Sequence, residues 1–143
     1  MSTNNRLIGQ FGEKIAASFI VNNGSSIICR NYKCIYGEID IISASKKDIV
    51  FTEVKTRQNI NYGYPFESVT ESKVKKIKKV SQYFLLNENS VQNHKYNLRF
   101  DIISIIISSE LAIAVLAEDN KNIIDISRLI NGTDYELDQI TDI

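Results

Sequence analysis

Apolar positions fall in two rhythms along this chain, and each change of rhythm marks an element. Over residues 7–22, Phe11, Ile15 and Phe19 recur every fourth position beside a small-residue face of Gly9, Gly12, Ala16 and Ala17, and Asn23-Gly24 closes the run. That spacing predicts a closely packing first helix. Residues 26–33 predict a first strand. Residues 36–44 and 49–56 are rich in Ile, Val, Phe and Thr, with the polar turn Ser45-Lys46-Lys47-Asp48 between them, so they predict a hairpin. Simple alternation then puts Glu38 and Asp40 on one face, as it does Glu53 and Lys55, while Ile39, Ile41 and Val54 point the other way.

The second half of the chain is read in the same manner. Residues 59–67, broken by Tyr62, Gly63, Tyr64 and Pro65, predict a loop. Tyr62 or Tyr64 would suit stacking on an unpaired base, although tyrosines packed on their own domain are the commoner outcome. Thr70-Glu71-Ser72 then starts an amphipathic helix with Val74, Ile77, Val80 and Phe84 as its apolar stripe. A polar connection over 87–97 leads to two apolar segments, 98–107 and 111–117, whose short joint Ser108-Ser109-Glu110 predicts a second hairpin. Asp101 is the sole charge inside the first of them, and Arg99 on the same face makes a structural ion pair the simpler reading. The tail from Glu118, with Ile123 to Ile130 and a Gly132 breaker, predicts a short helix or strand followed by fraying residues.

Composition narrows the class without changing this layout. A chain of 143 residues with 43% hydrophobic and 24% charged residues predicts one soluble α/β domain, 1–143, with residues 119–143 as an acidic C-terminal extension. The apolar stretches fall short of the ~18 residues that suggest a membrane span, and no signal-type apolar region follows Met1-Ser2-Thr3-Asn4-Asn5-Arg6, so a cytoplasmic protein is expected. The formal charge of zero hides an asymmetry: 15 basic against 9 acidic residues up to Ser108, then 2 against 8. Much of the basic excess is Lys73, Lys75, Lys76, Lys78 and Lys79 on the second helix. Such a face can lie along a phosphate backbone or can be an ordinary solvated helix surface.

Few chemistries are supplied. Two cysteines, Cys29 and Cys34, and the single His94 do not make a four-ligand zinc site or a Ser-His-Asp arrangement, and no phosphate-cradling glycine loop is present. The residues that remain are Asp40 in Gly37-Glu38-Ile39-Asp40 and Glu53 and Lys55 in Phe51-Thr52-Glu53-Val54-Lys55, on neighbouring strands. Hard cations such as Mg2+ take one or two carboxylates, with water and substrate phosphate completing the shell. Asp40 and Glu53 suit that role, and Lys55 could position an attacking water or neutralise charge growing on phosphate. An exposed salt-bridge ladder across the hairpin accounts for the same residues more plainly.

These residues resemble the core of the PD-(D/E)xK nuclease superfamily and, more closely, the YraN family of small bacterial proteins. The resemblance extends to Gly9, Gly12-Glu13, Ala16-Ala17, Gly24, Arg30-Asn31-Tyr32, Thr56-Arg57, Gly63, Pro65, Glu67, Val69, Lys73 and Arg99-Phe100-Asp101. It implies a restriction-endonuclease-like α-β-β-β-α-β core with a mixed central sheet flanked by helices. It also implies Glu13, Asp40, Glu53 and Lys55 as catalytic positions, and Asp40, Glu53 and the carbonyl of Val54 as ligands to Mg2+ or Mn2+. Arg57, Lys73 and Lys76 are then candidate nucleic-acid contacts. The function expected is metal-dependent hydrolysis of phosphodiester bonds in DNA, branched or junction DNA included. A twofold homodimer would serve where both strands are cut, and no membrane partner is expected. Two other readings remain open: a non-catalytic nucleic-acid-binding module of the same fold, and an adaptor whose acidic tail engages a basic partner.

Overall fold

Ser2 starts the first helix a turn earlier than its apolar spacing demands. In the computed structural model, which describes residues 2–58, 67, 69–92, 95–117 and 134–143, helix α1 spans Thr3–Asn22 and the Ser2 hydroxyl accepts the Asn5 N–H at 3.2 Å. Gly24, at a φ of 91°, ends the helix as expected. Strands β1 (Ser26–Cys34), β2 (Gly37–Ala44) and β3 (Asp48–Arg57) follow as an antiparallel meander. Helix α2 (Glu71–Asn87) opens with the Thr70 hydroxyl accepting the Lys73 N–H at 3.3 Å. It carries the chain back to β4 (Asn97–Ile107), which pairs in parallel with β3 from Asp48↔Asn97 to Arg57↔Ile106. The predicted polar connection before β4 contains one further helical turn, α3 (Asn89–Gln92).

Two expectations for the C-terminal part are corrected. Residues 111–117 are not the second strand of a hairpin but lie in a helix, α4 (Ser109–Ala117). The Ser108 hydroxyl caps it by accepting the Leu111 N–H at 3.1 Å, and the buried set Leu111, Ala112 and Val115 has helical spacing. The partner of β4 is instead β5 (Tyr135–Ile140), antiparallel from Ile102↔Ile140 to Ile107↔Tyr135. The residues beyond it do not fray: Asp142 N–H reaches Asp101 Oδ1 at 3.2 Å and Ile143 N–H reaches the Phe100 carbonyl at 2.8 Å. The predicted loop at 59–66 with its tyrosines, His94, and residues 118–133 lie outside the described residues.

The result is a five-stranded mixed sheet in the order β1-β2-β3-β4-β5, covered on both faces. Ile8, Phe11, Ile15 and Ile20 of α1 and Leu111 and Val115 of α4 pack with Ile41, Val54, Ile103, Ile105 and Ile107. On the other face, Ile77, Val80 and Phe84 of α2 pack with Ile39, Ile42, Ile49 and Phe51. One face is therefore not left to charge, as the hairpin alone suggested. Ile39 and Ile41 also belong to opposite layers, so simple alternation fails at the residue between them, Asp40. Opposite it, between the pairs Arg30↔Ile41 and Tyr32↔Ile39, Asn31 takes a left-handed φ of 53°, a conformation asparagine tolerates better than most residues.

Candidate active site

The irregularity in β2 takes Asp40 out of both apolar layers and turns it toward β3. Its side chain is buried, with 8% of the residue exposed, and its Oδ2 accepts the backbone N–H of Val54 at 2.8 Å. That bond joins β2 to β3 beyond the end of their ladder at Ile41↔Thr52. Glu53 and Lys55 leave β3 together, with Lys55 Nζ 3.0 Å from Glu53 Oε1 and both side chains mostly buried. The ion pair of the plainer reading is thus formed, but within β3 and mostly buried rather than as an exposed ladder across the hairpin.

Enclosure sets the electrostatics. Burial and then the Glu53 charge push the Asp40 carboxyl up to about 8, against the pull of the Val54 N–H. Burial works against the Lys55 ammonium, but Glu53 outweighs it and holds the group above its usual value. Lys73 at the start of α2 is held below its usual value, first by Lys55 and then by burial. A second lysine is therefore crowded against the first at the mouth of the site, and Arg57 at the end of β3 adds to its repulsion.

Glu13 comes from the other side of the sheet. Gly12 lies so close to β3 that a Cβ there would overlap Thr56 Oγ1, and this approach brings the next residue of α1 against the strands. Burial raises the Glu13 carboxyl, Arg30 at 3.8 Å and an Asn31 hydrogen bond lower it, and Glu53 raises it. Glu13 and Asp40 also feel each other. Arg30 and Asn31 are contributors that the reading of Glu13 alone passes over; an asparagine in mid-strand was the available signal. Lys76 is exposed on α2, and Val54 presents its N–H to Asp40 while its side chain joins the α1 core.

Asp101 belongs elsewhere. Fully buried, it accepts Arg99 Nε and Nη2 at 3.0 Å each and Gln139 Nε2 at 2.8 Å, with Arg99 Nη1 also on Asp48 at 3.2 Å. It lines a polar cavity with Thr52 under the end of α1, on the face opposite Lys55, so the structural ion pair is what the chain forms.

The donor set suits a hard divalent cation, because a cation beside Asp40 and Glu53 could neutralise carboxylates that stand close together and mostly out of water. Among the described residues, no three His, Cys, Asp or Glu side chains cluster closely enough to cage an ion by themselves. Magnesium, which keeps water and substrate oxygens in its shell, does not require such a cage.

A mixed sheet in an α-β-β-β-α-β order, with acid, acid and lysine meeting where β2 and β3 diverge, defines an α/β protein with a restriction-endonuclease-like core. The chain belongs to the family described as "Uncharacterised protein family UPF0102", whose model matches residues 12–105, the YraN family within the broader PD-(D/E)xK grouping. It is similar to a UPF0102 protein of Clostridium novyi, 42% identical over 104 residues that make up 73% of this chain and 84% of the relative. One from Clostridium botulinum is 46% identical over 105 residues, with the same coverage of 73% and 84%. A third, from Caldanaerobacter subterraneus, is 43% identical over 107 residues, 75% of this chain and 85% of the relative. The matched span holds Glu13, Asp40, Glu53, Lys55 and Lys73 and stops short of α4 and β5.

Proposed function

We propose that this protein hydrolyses phosphodiester bonds in DNA, branched or junction DNA included, with the help of Mg2+ or Mn2+. The observation that carries the reading is the meeting of Asp40, buried and held at the Val54 N–H, with Glu53 and Lys55. A structural ion pair has no use for the second acid. Asp40, Glu53 and the Val54 carbonyl would hold the cation, which when bound supplies an acidified water and neutralises charge on phosphate. The chain's own groups do the rest. Lys55, kept cationic by Glu53, can orient the attacking water or meet the charge that grows on the phosphate oxygens. Lys73, Arg57 and Lys76 give the substrate backbone basic partners, and Glu13 adds negative charge on the far side of the pair.

Purified protein should cut a panel of linear, flapped and four-way DNA substrates when Mg2+ or Mn2+ is added, and Asp40→Asn or Lys55→Ala should remove the activity. Cleavage that survives both substitutions would exclude this site. One observation favours a second reading, a binding module without turnover: Glu53 is already paired with Lys55 at 3.0 Å, so an entering cation has to compete with an ammonium. Calorimetry distinguishes the two. Salt-sensitive DNA binding without any metal heat at millimolar Mg2+ would favour the module.

A further inference from the structure

The turn that joins β1 to β2 has features the proposed site does not use. Cys34 pairs with Gly37, which leaves Ile35 and Tyr36 alone at the tip, 83% and 47% exposed. A single exposed isoleucine is ordinary. The mounting of this one is not. The Tyr36 ring meets the edge of Tyr83 on α2 with 5.9 Å between centroids. Gly37, at a φ of 141°, follows within ordinary contact of α2, where a Cβ would lie 3.5 Å from Val80 Cγ2. The tip is therefore braced on a helix rather than free, and its apolar end faces water at no further cost in ordering.

Charge surrounds it. Lys79 and Lys76 precede Tyr83 by one and two turns on the same flank of α2 and are exposed, while Lys33 near the end of β1 is exposed but paired with Glu38 at 3.5 Å. Lys78, by contrast, turns to the other flank, 5.6 Å from the Phe100 ring. At the start of the same helix Lys73 adjoins Lys55. From Lys73 to Tyr83 the helix advances ~15 Å, on the order of four base steps at ~3.4 Å each. A polyanion laid along this flank meets the acidic site at one end and the isoleucine at the other.

We propose that Ile35 is a wedge that unstacks a base step in a nucleic-acid duplex held along the Lys76 and Lys79 flank of α2, with Tyr36 bracing it. Apolar side chains inserted between base steps act in this way, and the cost is least where stacking is already weakened. The wedge rests on the phosphodiester reading and deepens it: substrates with a mismatch, bulge or branch a few base steps from the scissile bond are favoured over regular duplex.

The test reads unstacking without cleavage. Duplexes carrying 2-aminopurine at successive positions around a bulge are titrated with metal-free protein. Wild type should give a severalfold fluorescence rise at one or two adjacent positions. Ile35→Ser should lose the rise while binding within severalfold of wild type, and Ile35→Leu should keep it. Lys76→Gln and Lys79→Gln should each weaken binding and reduce the salt slope by about 1, with the rise intact at saturation. No binding, binding without a rise, or a rise unchanged in Ile35→Ser would each overturn the wedge. So would an Ile35→Ser variant that alters only sedimentation, since the tip would then be a contact between copies of the chain. Cleavage is assayed separately with metal: unstacking without cleavage removes the nuclease reading alone, and cleavage without unstacking removes the wedge alone.

Discussion

With its carboxyl pushed up to about 8, Asp40 stays neutral in the folded chain over a pH range in which it ionises once unfolded. A raised folded value means that the contribution to stability is full below the usual 3.8 and declines as pH rises through about 8. The melting temperature of metal-free protein should carry that decline between those limits, and saturating Mg2+ should offset it at the upper end. Asp40→Asn should remove it, because the amide carries no charge to desolvate and its oxygen can still accept the Val54 N–H. We expect the variant to gain ~1 kcal/mol or more at pH 8, about 3 °C, and to lose cleavage by ~100-fold or more. Equal melting temperatures for the two proteins at pH 8 would refute this account of the site. Replacing Asp101 should be costly instead: Asp101→Ala leaves Arg99 with Asp48 alone and strips Gln139 and the Asp142 N–H of their acceptor, and should cost ~3 kcal/mol, with no separate effect on metal binding by the folded protein.

Among the elements, the contact of α1 with β3 is the least tolerant. Gly12→Ala places a methyl on Thr56, so the helix has to move outward and take Glu13 with it. A loss of ~1–3 kcal/mol is expected from overpacking, with a fall in turnover among molecules that still fold. Thr56→Val is the control: its shape is kept and its buried hydroxyl, which has no hydrogen-bond partner among the described residues, is removed, so chemical denaturation should find it neutral or stabilising. Legibility also varied by element. Helix α2 was readable because cap, stripe and lysines agree. Helix α4 was misread because Leu111 to Ala117 is apolar nearly throughout, and an apolar run has no face by which to tell a helix from a buried strand; the Ser108 cap was the better signal. Asp40, Glu53 and Lys55 were found for their residue types, but the break in alternation that buries Asp40 depends on Asn31 across the ladder, which no single-strand pattern carries.

Taken whole, the molecule places the acidic end of its sequence on the sheet. Glu136 and Asp138 of β5 stand beside Ile106 and Ser104 of β4, and the tail is bound at Asp101 and Phe100. A chain cut after Asp134 should therefore lose more than acidic residues. The isoleucine-rich β4 becomes an open edge, and light scattering on warming should show association that the full chain lacks. The tail's place was not legible beforehand because the alternation Tyr135-Glu136-Leu137-Asp138 is only four residues long, and its pairing is with a strand that does not neighbour it in sequence.

The parallel pair at the centre of the sheet also imposes an order in time. β1, β2 and β3 are joined by short turns and can associate as soon as they exist, whereas β4 reaches β3 only after α2 has crossed the sheet, a closure that contacts distant in sequence make slow. On that order Asp40 and Glu53 would meet before Lys73 is brought over them, with the two acids still open to solvent. Pulse-labelled hydrogen exchange should find the amides of 41–44 protected earlier than those of 102–107. Any cation present during synthesis would then encounter the acidic pair while it is still uncovered, ahead of the finished crevice.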